Sequence, residues 1–444
     1  MPSTADAPPP ALRRVLTTAQ VWSIAVGMVI SGEYFGWNYG WAAAGTIGFL
    51  IATLLVTVFY IAFIFSYTEL TTAIPHAGGP FAYAQRAFGT TGAFLAGFAT
   101  LVDFLLAPPA IAAALGAYAH FLNPALPVLG VATAAYVVFI AVNILGIKES
   151  ANLSMVVTVL SVVELLVFMA LIWPAYRTEN LLAHNESFGL GGVFAAIPFA
   201  IWFYLAIEGV AMVAEEVKDP RRTIPRGYLL SIATLVVLAV GTMVLSAGVG
   251  DWRLLSNIDY PLPETLAMVL GQQNVWSKIF ASLGLFGLIA SFHGNTIGYS
   301  RQVYALARSG YLPRILAAVN RRYQTPHWAL LAGGLVGFLA LFSGTTDNII
   351  ILSALGAVVM YISSLCSLFA LRRREPLLDR PFRAPFYPYV PALALALAVV
   401  CLAAIVYYNP GLSAVFAGLL LLSYILFRLS GAKSPIRQEI NSVE

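Results

Sequence analysis

Long apolar runs, each closed by a short polar segment, repeat from Thr18 almost to the end of the chain. They fall near 18–40, 43–66, 91–120, 126–146, 152–174, 192–214, 228–249, 276–300, 327–343, 349–371, 390–408 and 411–428. A helix needs about 20 apolar residues to cross a bilayer. These runs meet that length and are apolar all round, whereas barrel strands are short and alternate. Only helices and closed barrels satisfy their backbone in lipid, so each run predicts a helix. The expected fold is an all-α polytopic membrane protein with 12 transmembrane helices. Residues 1–17 read as a tail, 18–430 as a single transmembrane domain and 431–444 as a second tail. No signal-peptide cleavage pattern precedes the first run, which reads as a retained helix.

Composition removes the alternatives. Of the 444 residues, 60% are hydrophobic and 10% are charged, and the mean hydropathy is +0.83. Soluble domains carry roughly 25% charged residues. A soluble enzyme, a disordered chain, a collagen and a disulfide scaffold are all excluded. Cys366 and Cys401 lie inside apolar runs and read as buried thiols.

Charge sets the orientation. Arg177, Arg253 and Lys278 fall on one side of the predicted bundle, and the other 21 of the 24 Lys and Arg fall on the opposite side. By the positive-inside rule both termini are cytoplasmic. The net charge of +4 therefore reports topology, and nucleic acid is not an expected partner. The expected location is the plasma membrane, the inner membrane of a bacterium.

A charge inside a span costs about 2.5–3.5 kcal/mol even on the lenient scale and marks a functional candidate by default. Glu33, Asp103, Glu164 and Glu208 fall inside spans with no Lys or Arg at comparable depth. For each, the alternative is a protonated acid hydrogen-bonded between helices. Glu33 follows Ser31-Gly32 in the first span, and Glu208 precedes Gly209 in the sixth. Small residues in mid-helix weaken it. Should the first ten spans form two repeats of five, spans one and six are equivalent, and matched breaks point to a transporter site at the midplane.

Aromatic residues crowd both breaks: Tyr34, Phe35 and Trp37 at one, Trp202, Phe203 and Tyr204 at the other. Carboxylates and ring faces together suit an organic cation, each ring adding about 0.5–2 kcal/mol. Trp202, six residues before Glu208, is the favoured ring. The eighth span adds Ser291, His293, Gly294, Asn295 and Thr296, which read either as pathway lining or as packing partners. Pro108-Pro109 is expected to kink the third span just after Asp103. No metalloprotease, nucleophile-elbow, P-loop or metal-spaced Cys/His pattern is present, so neither an enzyme nor an ATP-driven pump is expected, and no cofactor or metal is implied.

Four loop motifs carry a family resemblance: Pro75-His76-Ala77-Gly78-Gly79-Pro80-Phe81, Glu215 to Arg226, Ser300 to Pro313, and Arg380-Pro381-Phe382-Arg383. Through them the chain resembles the amino acid–polyamine–organocation superfamily along nearly its whole length. The resemblance implies an inverted five-plus-five repeat, about 18–175 and 192–373, with broken helices one and six, followed by two C-terminal helices at about 390–430. Amino-acid carriers of that superfamily use a Gly-Ser-Gly-Ile-like break whose amides take the substrate carboxylate. Here Glu33 follows Ser31-Gly32 instead. An acid there repels a carboxylate, so an amine without one is expected.

The string Ser31-Gly32-Glu33-Tyr34-Phe35-Gly36-Trp37-Asn38 is most similar to that of ethanolamine permeases. The resemblance implies secondary or facilitative import of ethanolamine or a similar small amine by alternating access. It places Ser31, Gly32, Glu33, Tyr34, Asp103, Trp202, Ala206, Glu208 and His293 around the substrate. Some relatives carry a titrating Lys in helix five. Ser161 aligns there, with Glu164 three residues on, and these two with Asn295 are candidates for coupling or the pathway. A proton or a counter-substrate is the open choice of coupling partner. An amino-acid or polyamine exchanger, with Glu33 and Glu208 holding the two ends of a diamine, is the competing expectation. A membrane-embedded enzyme using His293 with an acid, and a channel, are further readings.

Overall fold

The computed structural model describes residues 14–146, 151–185, 189–271, 274–320 and 322–429. Most of the two predicted tails, together with Arg13, Lys148 and Arg321, lies outside them. Among the described residues the fold is helical, with one isolated β-bridge between Leu16 and Val217. Nine helices there are long and apolar enough to cross a membrane, and the shorter apolar helices Thr18–Val29, Val128–Ile144 and His327–Ser343 occupy three further predicted positions. Every predicted run is thus helical.

Helix bounds follow backbone chemistry more closely than hydropathy. Tyr39–Ala73 is one helical stretch with a non-helical residue, Gly45, at φ 64°. That glycine lies just inside the second predicted run, whose expected start is near 43. Pro80–Leu122 is likewise interrupted at Gly89, φ 71°. The third span runs through Pro108-Pro109 with helical dihedrals, so its one departure from helical geometry is at Gly89. The prolines free the carbonyls of the preceding turn but leave the path of the chain helical.

The two ends of the bundle are chemically distinct. At one end Glu69 holds Arg372 with two bonds of 2.7 Å, pairs with Arg380 at 3.3 Å, and accepts the amide of Ala384 at 2.7 Å. Arg86–Glu375, Arg301–Glu216 and Arg221–Asp379 join the same set of loops. Leu16 and Val15 bond to Glu216, tying the start of span one to the end of span six. At the other end Asn38 reaches Leu255 and Ile258, Thr46 reaches Leu181, and Trp252 reaches Ala183. Arg86, Arg221, Arg301, Arg372 and Arg380 all pair at the first of these ends.

The third and tenth spans form the most extensive helix pair. A Cβ on Gly356 would lie 2.8 Å from the Ala99 carbonyl oxygen and 2.9 Å from the Asp103 amide nitrogen. Small residues permit such contact between membrane helices. Large apolar side chains such as Leu160, Phe286, Leu335 and Leu422 point away from the bundle. Cys366 and Cys401 are free thiols, half-buried and buried respectively.

Candidate functional site

The first span consists of Thr18–Val29 and the four-residue helix Ser31–Tyr34, then leaves helical geometry at Phe35 and at Gly36, φ 91°. Buried carbonyls freed by a break need donors, since lipid offers none. Here side chains supply them. Met28 O accepts Ser291 Oγ at 2.7 Å and Asn295 Nδ2 at 3.0 Å. Glu33 O accepts Trp37 Nε1, Tyr34 O accepts the Tyr118 hydroxyl, and Phe35 O accepts Trp202 Nε1 at 3.0 Å. Asn38 Oδ1 takes the Gly36 amide.

The sixth span is helical over Ile197–Trp202, turns through 203–206, and resumes as a 3-10 helix over Ile207–Glu216. Ala206 has φ 76°, ψ 3°. A left-handed residue ends a helix because its amide can no longer continue the ladder. The break therefore lies three residues before Gly209, where the sequence suggested it. Gly209 serves contact instead: a Cβ there would lie 2.7 Å from Met28 Cε.

The two breaks touch. Gly32 lies against the Trp202 carbonyl, while Ser31 Oγ ties the first span to the eighth through Ser291 Oγ at 2.8 Å. Ser31, Trp202, Ala206, Asn295, Met28 and Ala107 surround a cavity of about 10 Å³. That is room for about one water, so a substrate needs the helices to part. A wider cavity of about 320 Å³ lies toward the loop end, between Tyr39, Phe199, Asp347 and Tyr408. Beside it, Asp259 accepts the hydroxyls of Tyr39 and Thr346. Burial raises the Asp259 carboxyl above the ordinary carboxylate range, while those hydrogen bonds act in the opposite direction.

The four intramembrane acids occupy three different settings. Glu33 is completely buried, and neither carboxylate oxygen has a hydrogen-bond donor. Asp103 and Glu208, fully buried, face each other across spans three and six. Tyr361 donates to Glu208 Oε2 at 3.0 Å, Tyr60 meets Tyr361 at 2.9 Å, and Ser353 donates to Asp103 O at 2.9 Å. Asp103 Oδ2 and Glu208 Oε1 have no hydrogen-bond donor. Glu164 accepts the Tyr34 hydroxyl at 2.7 Å, with the Ser161 carbonyl 3.4 Å from the same hydroxyl.

The expected site residues therefore divide. Ser31, Gly32, Trp202, Ala206 and Asn295 meet at the breaks. Tyr34 turns to Glu164 and Ser161, and Asp103 joins Glu208. His293 is half-buried and lies about 200° round the eighth helix from both Ser291 and Asn295. Tyr361 and Ser353 were not anticipated. Their spacing of eight places them on one face of the tenth span, and that spacing is the signal the sequence offered.

Comparison with known proteins places the chain in a family. Residues 16–427 fit the family model described as amino acid permease. The chain belongs to the amino acid permease family. It is 24% identical to a branched-chain amino acid permease of Bacillus subtilis, over 86% of each chain. A methylthioribose transporter of Bacillus subtilis is 25% identical, again over 86% of each chain. A cystine/glutamate transporter of Pongo abelii is 27% identical over 88% of this chain and 81% of its own. This permease is thus a multi-pass membrane transporter of the amino acid–polyamine–organocation superfamily and not an enzyme.

Proposed function

We propose that the permease carries ethanolamine or a similar small organic amine across the membrane by alternating access. The observation that carries this reading is the Glu33 carboxylate, buried at the first break without a donor. A protonated amine brings both the hydrogen-bond donors and the charge that such a group needs. Trp202 and Ala206 flank the neighbouring cavity, and the Asp103–Glu208 pair offers a second acidic contact once the breaks part. The domain is taken as residues 18–430, with repeats at about 18–175 and 192–373.

The gathering of basic residues at one end supports cytoplasmic termini in a plasma membrane, the inner membrane in a bacterium. Similarity to a branched-chain amino acid permease and a cystine/glutamate transporter favours a second reading, an amino-acid carrier. Glu33 weighs against it, because a substrate carboxylate beside it is repelled. Radiotracer counterflow in proteoliposomes separates the two. Exchange of labelled ethanolamine supports the amine reading; exchange of amino acids or putrescine in its place overturns it.

A further inference from the structure

The wider cavity, about 320 Å³, shares no lining residue with the small one at the breaks. Separate stretches of chain build its wall. Tyr39 opens the second span, Phe199 lies on the first half of the sixth, and Asn257 belongs to the loop before Pro261. Asp347 and Ile351 stand about one turn apart on the tenth span, and Tyr408 closes the helix Tyr389–Tyr408. Phe199 precedes Trp202 on the same short helix, so the cavity ends about one turn from the sixth-span break.

The wall combines negative charge with ring faces. The Asp347 carboxylate is half-buried, and among the described residues no Lys or Arg pairs with it or with Asp259. Arg253, on the preceding loop, is held by Asp251 at 2.7 Å. Asp259 stands behind the wall and accepts the hydroxyls of Tyr39 at 2.7 Å and Thr346 at 2.9 Å. Hydroxyls satisfy its oxygens but offset none of its charge. They also hold the Tyr39 ring, whose centroid lies 5.9 Å from that of Phe199. Tyr408 supplies a third ring. A recess lined by one sign of charge concentrates the opposite sign, and ring faces add to the attraction for a cation within about 6 Å. Ligand pockets begin near 300 Å³ and join apolar walls to a few placed polar groups, as this one does. Ethanolamine has no apolar body with which to cover Phe199 and Ile351.

We propose that this loop-end cavity is a second binding site, which takes an organic cation bearing an aromatic or branched apolar body. The cationic head sits by Asp347, and the body lies against Phe199, Ile351 and Tyr408. The site stands whatever the transported substrate, because the helix breaks contribute nothing to its wall. An occupant touches the second, sixth and tenth spans and the loop before Pro261 at once. It ties together elements that must separate for the breaks to open at this end, and it stabilises the closed form by its differential affinity for it.

Benzyltrimethylammonium is a suitable probe, since its charge is permanent and its ring can cover the apolar wall. Equilibrium dialysis of the labelled probe against the purified permease should show saturable binding, and the melting temperature should rise with probe concentration. Asp347→Asn should weaken binding about fivefold, and Tyr408→Leu, at an exposed position, about threefold. Glu33→Gln, at the first break, should bind the probe as the parent does. Tetramethylammonium, which keeps the charge without the ring, and ethanolamine should each displace the probe at least about tenfold less well than unlabelled probe does. Absence of saturable binding, parent-like binding by Asp347→Asn, loss of binding in Glu33→Gln, or displacement by ethanolamine as ready as by the probe itself overturns the proposal.

Discussion

A Cβ placed on Gly32 would lie 2.3 Å from the carbonyl oxygen of Trp202. The neighbour is backbone and has no side-chain rotamer to yield. Gly32→Ala should therefore hold the two breaks apart, at about 1–3 kcal/mol of overpacking. Uptake in cells should fall at least about tenfold while the amount of protein in the membrane stays near that of the parent. Uptake equal to the parent would show that the contact is not required for closure.

Charge at position 33 should set both affinity and selectivity. Glu33→Gln keeps the shape and removes the charge, and should weaken ethanolamine binding, read by competition in proteoliposomes. Serine, which is ethanolamine with a carboxylate added, is the discriminating competitor. Two unit charges about 4 Å apart at an effective dielectric near 20 repel by roughly 4 kcal/mol. Glu33→Ile should therefore lose ethanolamine affinity and reject serine less. Equal rejection of serine by parent and variant would assign selectivity to pocket size or to Asp103.

Trp202 has two separable roles at the breaks. Its indole nitrogen donates to Phe35 O at 3.0 Å, and its ring adjoins the small cavity. Trp202→Leu removes both and should cost roughly 1–2 kcal/mol of cation binding. Trp202→Phe keeps a ring and should lose less. Parent-like affinity in both variants would make the side chain a packing element alone.

Removing the Tyr361 hydroxyl leaves Glu208 Oε2 without its donor. An orphaned buried acceptor costs about 1–3 kcal/mol. Tyr361→Phe should lower the detergent melting temperature and weaken substrate binding, whereas Tyr60→Phe, one bond further from the acid, should do less of both. Equal effects would place the strain in the tyrosine pair rather than at Glu208.

Glu69 is 2% exposed and answers two arginines and one amide. Breaking a buried ion pair from one side costs about 3–5 kcal/mol because the partner charge stays behind. Glu69→Ala should sharply lower thermal stability and expression. A melting curve superimposable on the parent's would show that the arginines escape to water.

The spans were legible because hydropathy is a sum over about twenty residues and tolerates local detail. The breaks were legible in part. Ser31-Gly32 pointed to the neighbourhood of the first, although Ser31–Tyr34 stays helical and the chain departs at Phe35 and Gly36, and Gly209 drew attention from Ala206, since a glycine in a helix can serve contact as well as flexibility. Glu33 and Tyr34 were grouped because they are adjacent, yet consecutive helical residues point about 100° apart. Tyr34 accordingly reaches Glu164 on the fifth span. The facing of Asp103 and Glu208 depends on how spans three and six meet, which no local pattern encodes.

The unpaired Glu33 carboxylate also bears on membrane voltage. On the amine reading proposed above, the cargo neutralises an ionised Glu33, and the empty carrier would keep that one negative charge. An elementary charge moving through the full field exchanges about 2.3 kcal/mol per 100 mV. An interior-negative potential thus has little hold on Glu33 with its cargo, and it speeds the outward return of the unloaded acid.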